Sequence, residues 1–173
     1  MLSIQELDDL IIRVPDYPKP GIIFQDISPV LANPAAFVSL VNHMVSPFRD
    51  MQVTHVVGIE ARGFLLASAM AHELRAGLVP ARKIGKLPRP TYSAEYDLEY
   101  GKAAIEIHQD ALVKTDRVLL VDDVLATGGT LAAAISILAR QQTELIGIAV
   151  LSEITFLNGK AKLPNVPIHS IIK

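Results

Sequence analysis

Residues 118–135 constrain the fold of this chain more than any other stretch. Val118-Leu119-Leu120-Val121 is an apolar run of the length expected for a buried strand. It ends at two adjacent carboxylates, Asp122 and Asp123. The chain then passes through Val124-Leu125-Ala126-Thr127-Gly128-Gly129-Thr130, and Leu131-Ala132-Ala133-Ala134-Ile135 opens a helix. A strand apolar on both faces and followed at once by a helix belongs in a sheet covered by helices. The turn between them has the make-up of an anion site. Gly128 and Gly129 carry no Cβ to hold a ligand away, so the N–H groups of Ala126 to Thr130 can converge on it, and the helix N-terminus adds positive potential. Two carboxylates beside such a turn suit a phosphate that arrives with a sugar or a metal.

The same alternation runs along the rest of the chain. Ile4 to Arg13 has apolar residues at helical spacing (Ile4, Leu7, Leu10, Ile11), and the proline-rich stretch Val14 to Gly21 cannot continue it. Ile22-Ile23-Phe24 is a short extended piece, and Asn33-Pro34 reads as the N-cap and first position of a helix reaching about Phe48. Strands are then expected at Thr54–Ile59, Leu78–Ala81, Ala103–Ile107, Val118–Val121, Leu145–Leu151 and Ile168–Ile172, with helices at Gly63–Arg75 and Thr130–Gln141. This predicts the α/β class: a parallel twisted sheet flanked by helices on both faces, with ligands at the carboxyl ends of the strands. Arg82 to Tyr100 interrupts the pattern with basic, proline, glycine and tyrosine residues and no core periodicity. A connection that long inside a compact domain is usually functional, and we read it as a lid.

Composition narrows the class. At 173 residues, half hydrophobic and a fifth charged, the chain suits one soluble globular domain. A net charge of −2 gives no basic field for nucleic acid or anionic lipid. Cysteine is absent, which removes disulfides, thiolate metal sites and cysteine nucleophiles. The acidic start lacks the basic and apolar regions of a signal peptide, and no apolar run approaches the roughly 18 residues that span a bilayer, so a cytoplasmic protein is expected. His43, His55, His72, His108 and His169 form no metal-ligand spacing. Gly85-Lys86-Leu87 lacks the hydroxyl of a Walker motif, and no G-x-G-x-x-G occurs.

Val118 to Thr130 resembles the diphosphoribose-binding motif of the type I phosphoribosyltransferases. Other blocks resemble the adenine-specific branch of that family: Pro18 to Leu31, Gly58-Ile59-Glu60-Ala61-Arg62-Gly63-Phe64, Arg82-Lys83-Ile84-Gly85-Lys86-Leu87-Pro88, Tyr96 to Lys102, and Phe156-Leu157-Asn158-Gly159. The likeness covers almost the whole chain in the family's order and spacing. It implies the type I phosphoribosyltransferase fold as a single domain over residues 1–173, with a small N-terminal hood (1–32) and a flexible lid loop (82–102).

The resemblance also implies a reaction: transfer of 5-phosphoribose from phosphoribosyl pyrophosphate to N9 of adenine, giving AMP and pyrophosphate in purine salvage. In that reading Ala126, Thr127, Gly128, Gly129 and Thr130 bind the 5′-phosphate. Asp122 and Asp123 hold the ribose hydroxyls, stabilise positive charge at C1′, and reach Mg²⁺, one or both through water. Ala61, Arg62, Arg82, Lys83 and Lys86 bind pyrophosphate, and the turn at Ala61–Arg62 is expected to adopt a cis peptide. Ile22, Ile23 and Phe24 receive adenine, with backbone groups reading its 6-amino edge. Gln25 stands where many relatives have arginine. Glu99 assists proton handling at the purine. A homodimer is expected, with the Gly58–Arg75 region and the lid side meeting across a two-fold axis. Two alternatives remain at this point: the same chemistry on a 6-oxopurine, and a non-catalytic domain that senses phosphoribosyl pyrophosphate to regulate transcription. The latter usually carries a separate DNA-binding domain, for which this chain has neither room nor charge.

Overall fold

The computed structural model describes residues 1–97 and 102–173. The chain opens with a capping box in which Ser3 and Glu6 satisfy each other's backbone N–H, starting helix α1 (Ile4–Asp9). The helix expected to reach Arg13 stops at Leu10 instead. The β-branched Ile12 and Val14 leave it for strand β1 (Ile12–Pro15), which pairs antiparallel with β2 (Ile23–Asp26) across the proline-rich turn. This two-stranded ribbon is separate from the main sheet. Helix α2 (Ser28–Ala32) follows. Asn33 then caps α3 (Pro34–Val45) by accepting from Ala35 and Ala36 N–H, as the Asn-Pro signal predicts.

The main sheet has seven strands: β3 (His55–Ile59), β4 (Gly77–Lys83), β5 (Thr91–Asp97), β6 (Lys102–His108), β7 (Arg117–Leu125), β8 (Glu144–Glu153) and β9 (Ile168–Ile172). They lie in the order β5-β6-β4-β3-β7-β8-β9. The pairings β3–β4, β3–β7, β7–β8 and β8–β9 are parallel, while β6 runs antiparallel to both β4 and β5. The sheet is therefore mixed rather than wholly parallel, and the departure is confined to the β5–β6 edge, where β5 comes from the expected lid and β6 from the strand expected at Ala103–Ile107. The expected lid is not a continuous irregular loop. Tyr92, Ala94 and Tyr96 alternate inward onto the core while Ser93, Glu95 and Asp97 face out, a period of two that makes a strand.

Helices α4 (Arg62–Leu74) and α5 (Gly129–Gln141) complete the domain on opposite faces. One core joins α1, α3 and α4 to the sheet through residues such as Leu7, Leu40, Met44, Leu66, Met70 and Leu119. The other joins α5 to the opposite face through Val57, Ile105, Leu120, Leu131 and Ile137. Neighbouring residues of β7, Leu119 and Leu120, thus enter different cores, which is why its sequence reads apolar without alternation.

Candidate active site

The carboxyl ends of β3, β4 and β7 lie along one edge of the sheet, and this edge gathers most of the residues singled out above. β7 does not end at Val121. It continues through both carboxylates to Leu125, with Asp122 opposite Val150 and Val124 opposite Ser152 of β8. Asp122 and Asp123 are thus strand residues, not the first residues of a loop. Asp122 Oδ1 accepts from Asp123 N–H at 2.9 Å, and its carboxyl packs so closely on the start of α4 that a Cβ on Gly63 would lie 3.0 Å from Oδ1. Burial pushes the Asp122 carboxyl well above the usual carboxylate range, and the neighbouring Asp123 charge pushes it further. Asp123 is buried, and its Oδ2 lies 2.5 Å from Arg62 Nη2 as an ion pair. That oxygen has no aligned hydrogen bond, so the contact is charge against charge.

The turn after β7 leaves the backbone donors at the start of α5 without a side-chain cap. Gly128 is left-handed at φ +78° and stands as the N-cap of α5, where no side chain caps the first-turn N–H groups. Those donors have no acceptor within the helix and face a cavity of about 60 Å³ lined by Asp122 and Val124 to Leu131. The turn is backed by Gly159. A Cβ on Gly128 would come within 2.4 Å of Gly159 O, and one on Gly159 within 2.2 Å of Ala126 O and 2.9 Å of Gly128 N. Two larger hollows, of about 600 Å³ beside the chain start and α3 and about 390 Å³ between His55 and His108, lack this convergence of donors and carboxylates. The site is located by its chemistry rather than by its size.

Arg62 links three of the expected subsites. Its Nη2 meets Asp123, its Nη1 donates to Gln25 O at 2.7 Å, and its Cζ lies 4.6 Å from the centroid of the Phe24 ring. Phe24 also meets Tyr17 edge-on at 5.2 Å. Ile23 points away and is 62% exposed. The cis peptide is Glu60–Ala61, one bond before the position expected. Ala61 O already accepts from Phe64 N–H at 3.2 Å, so the Ala61–Arg62 peptide belongs to the first turn of α4. Arg82 is occupied within the protein: Nε meets Glu60 Oε2 at 3.3 Å and Nη1 donates to Lys86 O at 3.2 Å. Lys83 and Lys86 are exposed, and their ammonium groups make no hydrogen bond or ion pair among the described residues. Glu99 lies outside the described residues.

A phosphoribosyl transferase domain is matched over residues 29–163. The chain is 54% identical over 159 residues to the adenine phosphoribosyltransferase of Frankia casuarinae, covering 92% of this chain and 85% of that one. The crystal structure of adenine phosphoribosyltransferase from Rhodothermus marinus is similar at 47% identity and a TM-score of 0.94, over 98% of this chain and 97% of that one. The Saccharomyces cerevisiae enzyme, solved with an imino-altritol bisphosphate and adenine, is similar at 36% identity and a TM-score of 0.92, over 97% of both chains.

The chain belongs to the adenine phosphoribosyltransferases.

Within this member of the adenine phosphoribosyltransferases, three residues at the site escape a reading of the sequence. Glu60 Oε2 accepts from Lys83 N–H at 2.9 Å as well as meeting Arg82, and these contacts, the Lys83 N–H foremost, hold its carboxyl below the ordinary value. Glu106 binds the turn after β4. Gly159 backs the glycine turn before α5. The partners of both glutamates are remote in sequence, so no local pattern marks them. Glu60 and Gly159 lie in blocks with family resemblance, but the sequence does not say what they touch. Three of the five histidines make structural contacts: His43 Nε2 with Leu2 O at 2.9 Å, His55 Nδ1 with Asp116 at 3.1 Å, and His169 Nε2 with His43 O at 3.1 Å.

Proposed function

We infer that the protein transfers 5-phosphoribose from phosphoribosyl pyrophosphate to N9 of adenine, releasing pyrophosphate and AMP. The observation that carries this reading is the meeting of hood, sugar site and pyrophosphate site at one guanidinium, Arg62, beside the glycine turn that opens α5. The yeast relative that binds adenine with a sugar bisphosphate analogue supports the same pairing of ligands.

Each group then has a definite task. The N–H groups of Ala126 to Thr130, with the Thr127 and Thr130 hydroxyls, hold the 5′-phosphate. Asp122 and Asp123 accept from the ribose 2′- and 3′-hydroxyls and, in their ionised forms, offset the positive charge that grows at C1′ as its bond to the leaving pyrophosphate oxygen breaks. The ribose hydroxyls compete with Arg62 for Asp123, so sugar binding turns the guanidinium toward pyrophosphate, where it joins Lys83 and Lys86. Arg82 is committed to Glu60 and Lys86 O, and it acts at pyrophosphate only by exchanging those partners. Adenine packs on Phe24 with its 6-amino edge read by the β2 backbone, and Glu99 takes the purine proton.

The donor set fits a hard cation. Two adjacent carboxylates, one with an oxygen lacking an aligned hydrogen bond, match the one or two that Mg²⁺ uses beside water and phosphate oxygens. No group of three His, Asp or Glu side chains that could hold a metal alone occurs among the described residues, so substrate oxygens and water would complete the shell. When bound, Mg²⁺ supplies neutralisation of the pyrophosphate charge.

Residues 1–32 act as the hood and 82–102 as the lid of one domain. Leu65, Leu78 and Ile84 are half-exposed apolar side chains on α4, on β4 and just after it, and a second copy in a homodimer would cover them. No helix among the described residues is long and apolar enough to cross a membrane, and the chain's lack of cysteine suits the cytoplasm. The test is Mg²⁺-dependent AMP formation from adenine and phosphoribosyl pyrophosphate, run beside hypoxanthine and guanine and repeated with Asp123→Asn and Glu99→Ala. Adenine should be the preferred base and both variants should lose turnover. Equal rates with a 6-oxopurine, or full activity in Asp123→Asn, would sink the reading.

A further inference from the structure

Glu106 is a buried carboxylate that the reaction described above does not use. It lies on β6 at 5% exposure, opposite Arg82 in the β4–β6 register. No lysine or arginine forms an ion pair with it among the described residues. Its Oε1 instead accepts from the N–H groups of both Lys86 and Leu87 at 3.0 Å, and Oε2 accepts from the Thr91 hydroxyl at 3.1 Å. Burial alone would push this carboxyl up, but hydrogen bonds from Leu87, Thr91, Lys86 and Gly85 outweigh it and leave the group below the ordinary glutamate value. The group is therefore ionised at neutral pH in a place where an unpaired charge is costly.

What those bonds secure is the turn after β4. Gly85 is left-handed at φ +77°, Lys86 N–H is held by Glu106, and Lys86 O is held by Arg82, which Glu60 holds in turn. The main chain of Lys86 is thus fixed on both sides. The two carboxylates consume backbone donors and Arg82 while making no bond to the ammonium groups of Lys83 and Lys86.

We propose that Glu106 is a positioning residue for the pyrophosphate half of the substrate: by gathering the Lys86 and Leu87 N–H groups it sets the turn that aims Lys86 at the leaving group. This rests on the reading of Lys86 as a pyrophosphate ligand. Hydrogen-bond acceptance is the operative property, so a carboxamide should largely replace the carboxylate, since its oxygen can take the two N–H groups and the Thr91 hydroxyl can accept from its nitrogen.

The experiment compares Glu106→Ala, Glu106→Gln, Lys86→Ala and the Glu106→Ala/Lys86→Ala double variant. It measures KM for phosphoribosyl pyrophosphate, KM for inorganic pyrophosphate in the reverse reaction with AMP, and KM for adenine. Glu106→Ala should raise the first two about tenfold, a coupling of the usual size for groups in one network. Adenine KM should stay within about twofold, and Glu106→Gln should recover most of the loss. In the Lys86→Ala background, Glu106→Ala should add little. Equal rises for adenine and pyrophosphate, additive losses in the double variant, or a Glu106→Gln loss as large as that of Glu106→Ala would overturn the proposal. An unaltered pyrophosphate KM in Lys86→Ala would instead remove the Lys86 reading beneath it. Should Glu106→Ala fail to fold, Thr91→Val takes its place, removing one donor while keeping the carboxylate. It should give a smaller rise confined to the two pyrophosphate-bearing substrates, and an equal rise for adenine would overturn the proposal.

Discussion

Replacing Gly159 by alanine should loosen the grip on the 5′-phosphate through a residue outside the phosphate turn itself. The added methyl would stand 2.2 Å from Ala126 O, 2.9 Å from Gly128 N and 3.0 Å from Leu125 Cδ1. Two of those atoms are backbone atoms of the turn, and neither can rotate away as a side-chain tip would. To reach ordinary contact, Ala126 O must retreat by about 1 Å relative to Gly159, because overlap at such distances is steeply repulsive. Leu125 is paired with Glu153 in β8, so the strand end resists and the displacement falls on Ala126 to Gly128. A misplacement of about 1 Å in a substrate-positioning element can cost up to about a hundredfold in rate. Overpacking of this kind also destabilises by about 1–3 kcal/mol. In a domain of this length that is a fall in Tm of roughly 2–4 °C per kcal/mol. Steady-state kinetics with each substrate varied, together with thermal unfolding, provides the assay. KM for phosphoribosyl pyrophosphate should rise by at least about tenfold while KM for adenine changes little. An unaltered phosphoribosyl pyrophosphate KM at an unaltered Tm would refute the reasoning, because it would mean that the turn and Gly159 are not in the close contact described.

Three further outcomes can be checked. Phe24→Ala removes both the ring beneath Arg62 and the contact with Tyr17, and should raise adenine KM by roughly five- to thirtyfold, the range that about 1–2 kcal/mol of stacking represents; isothermal titration with adenine and steady-state kinetics both read it. Glu60 and Glu106 have depressed carboxyl pKa values, so their stabilisation is present above the ordinary glutamate value of 4.5 and is lost as pH falls through their folded values. Thermal unfolding followed from pH 7 downward should therefore show a smaller loss below pH 4.5 for Glu106→Gln than for the parent protein. Asp122 has the opposite sign: its raised pKa favours the neutral form, so its contribution is full at low pH and is lost as pH rises through the folded value. Asp122→Asn should accordingly raise Tm at neutral pH, lose that advantage in acid, and impair AMP formation, and a lower Tm at neutral pH would count against this account of the site.

The βα unit at residues 117–141 was legible in the sequence because everything that makes it is local: an apolar run, two glycines and a run of helix formers. Its strand boundary was not, since Asp122 and Asp123 are poor strand residues by themselves. The ladder to Val150, Ser152 and Glu153 of β8 overrides that preference. The opposite failure occurs at Thr91 to Asp97. There the alternation of Tyr92, Ala94 and Tyr96 was present, but the prolines just before it and the charges within it suggested a loop. The expected groups at Asp122 to Thr130, Arg62, Phe24, Lys83 and Lys86 do come to one region of the fold. The contacts among them were out of reach of any local pattern: Arg62 finds Gln25 37 residues away, and Glu106 finds Lys86 20 residues away.

The continuation of β7 through its two carboxylates has a consequence for how such an enzyme could be altered. The two carboxylates are built into the hydrogen-bonded framework of the sheet, whereas the ribbon β1–β2 is a separate piece that meets Asp123 through Arg62. With the ribbon receiving the base as proposed, preference for the nucleobase could drift, or be redesigned, by exchanging it as a cassette whose replacement still offers a carbonyl and an aromatic face to the same guanidinium.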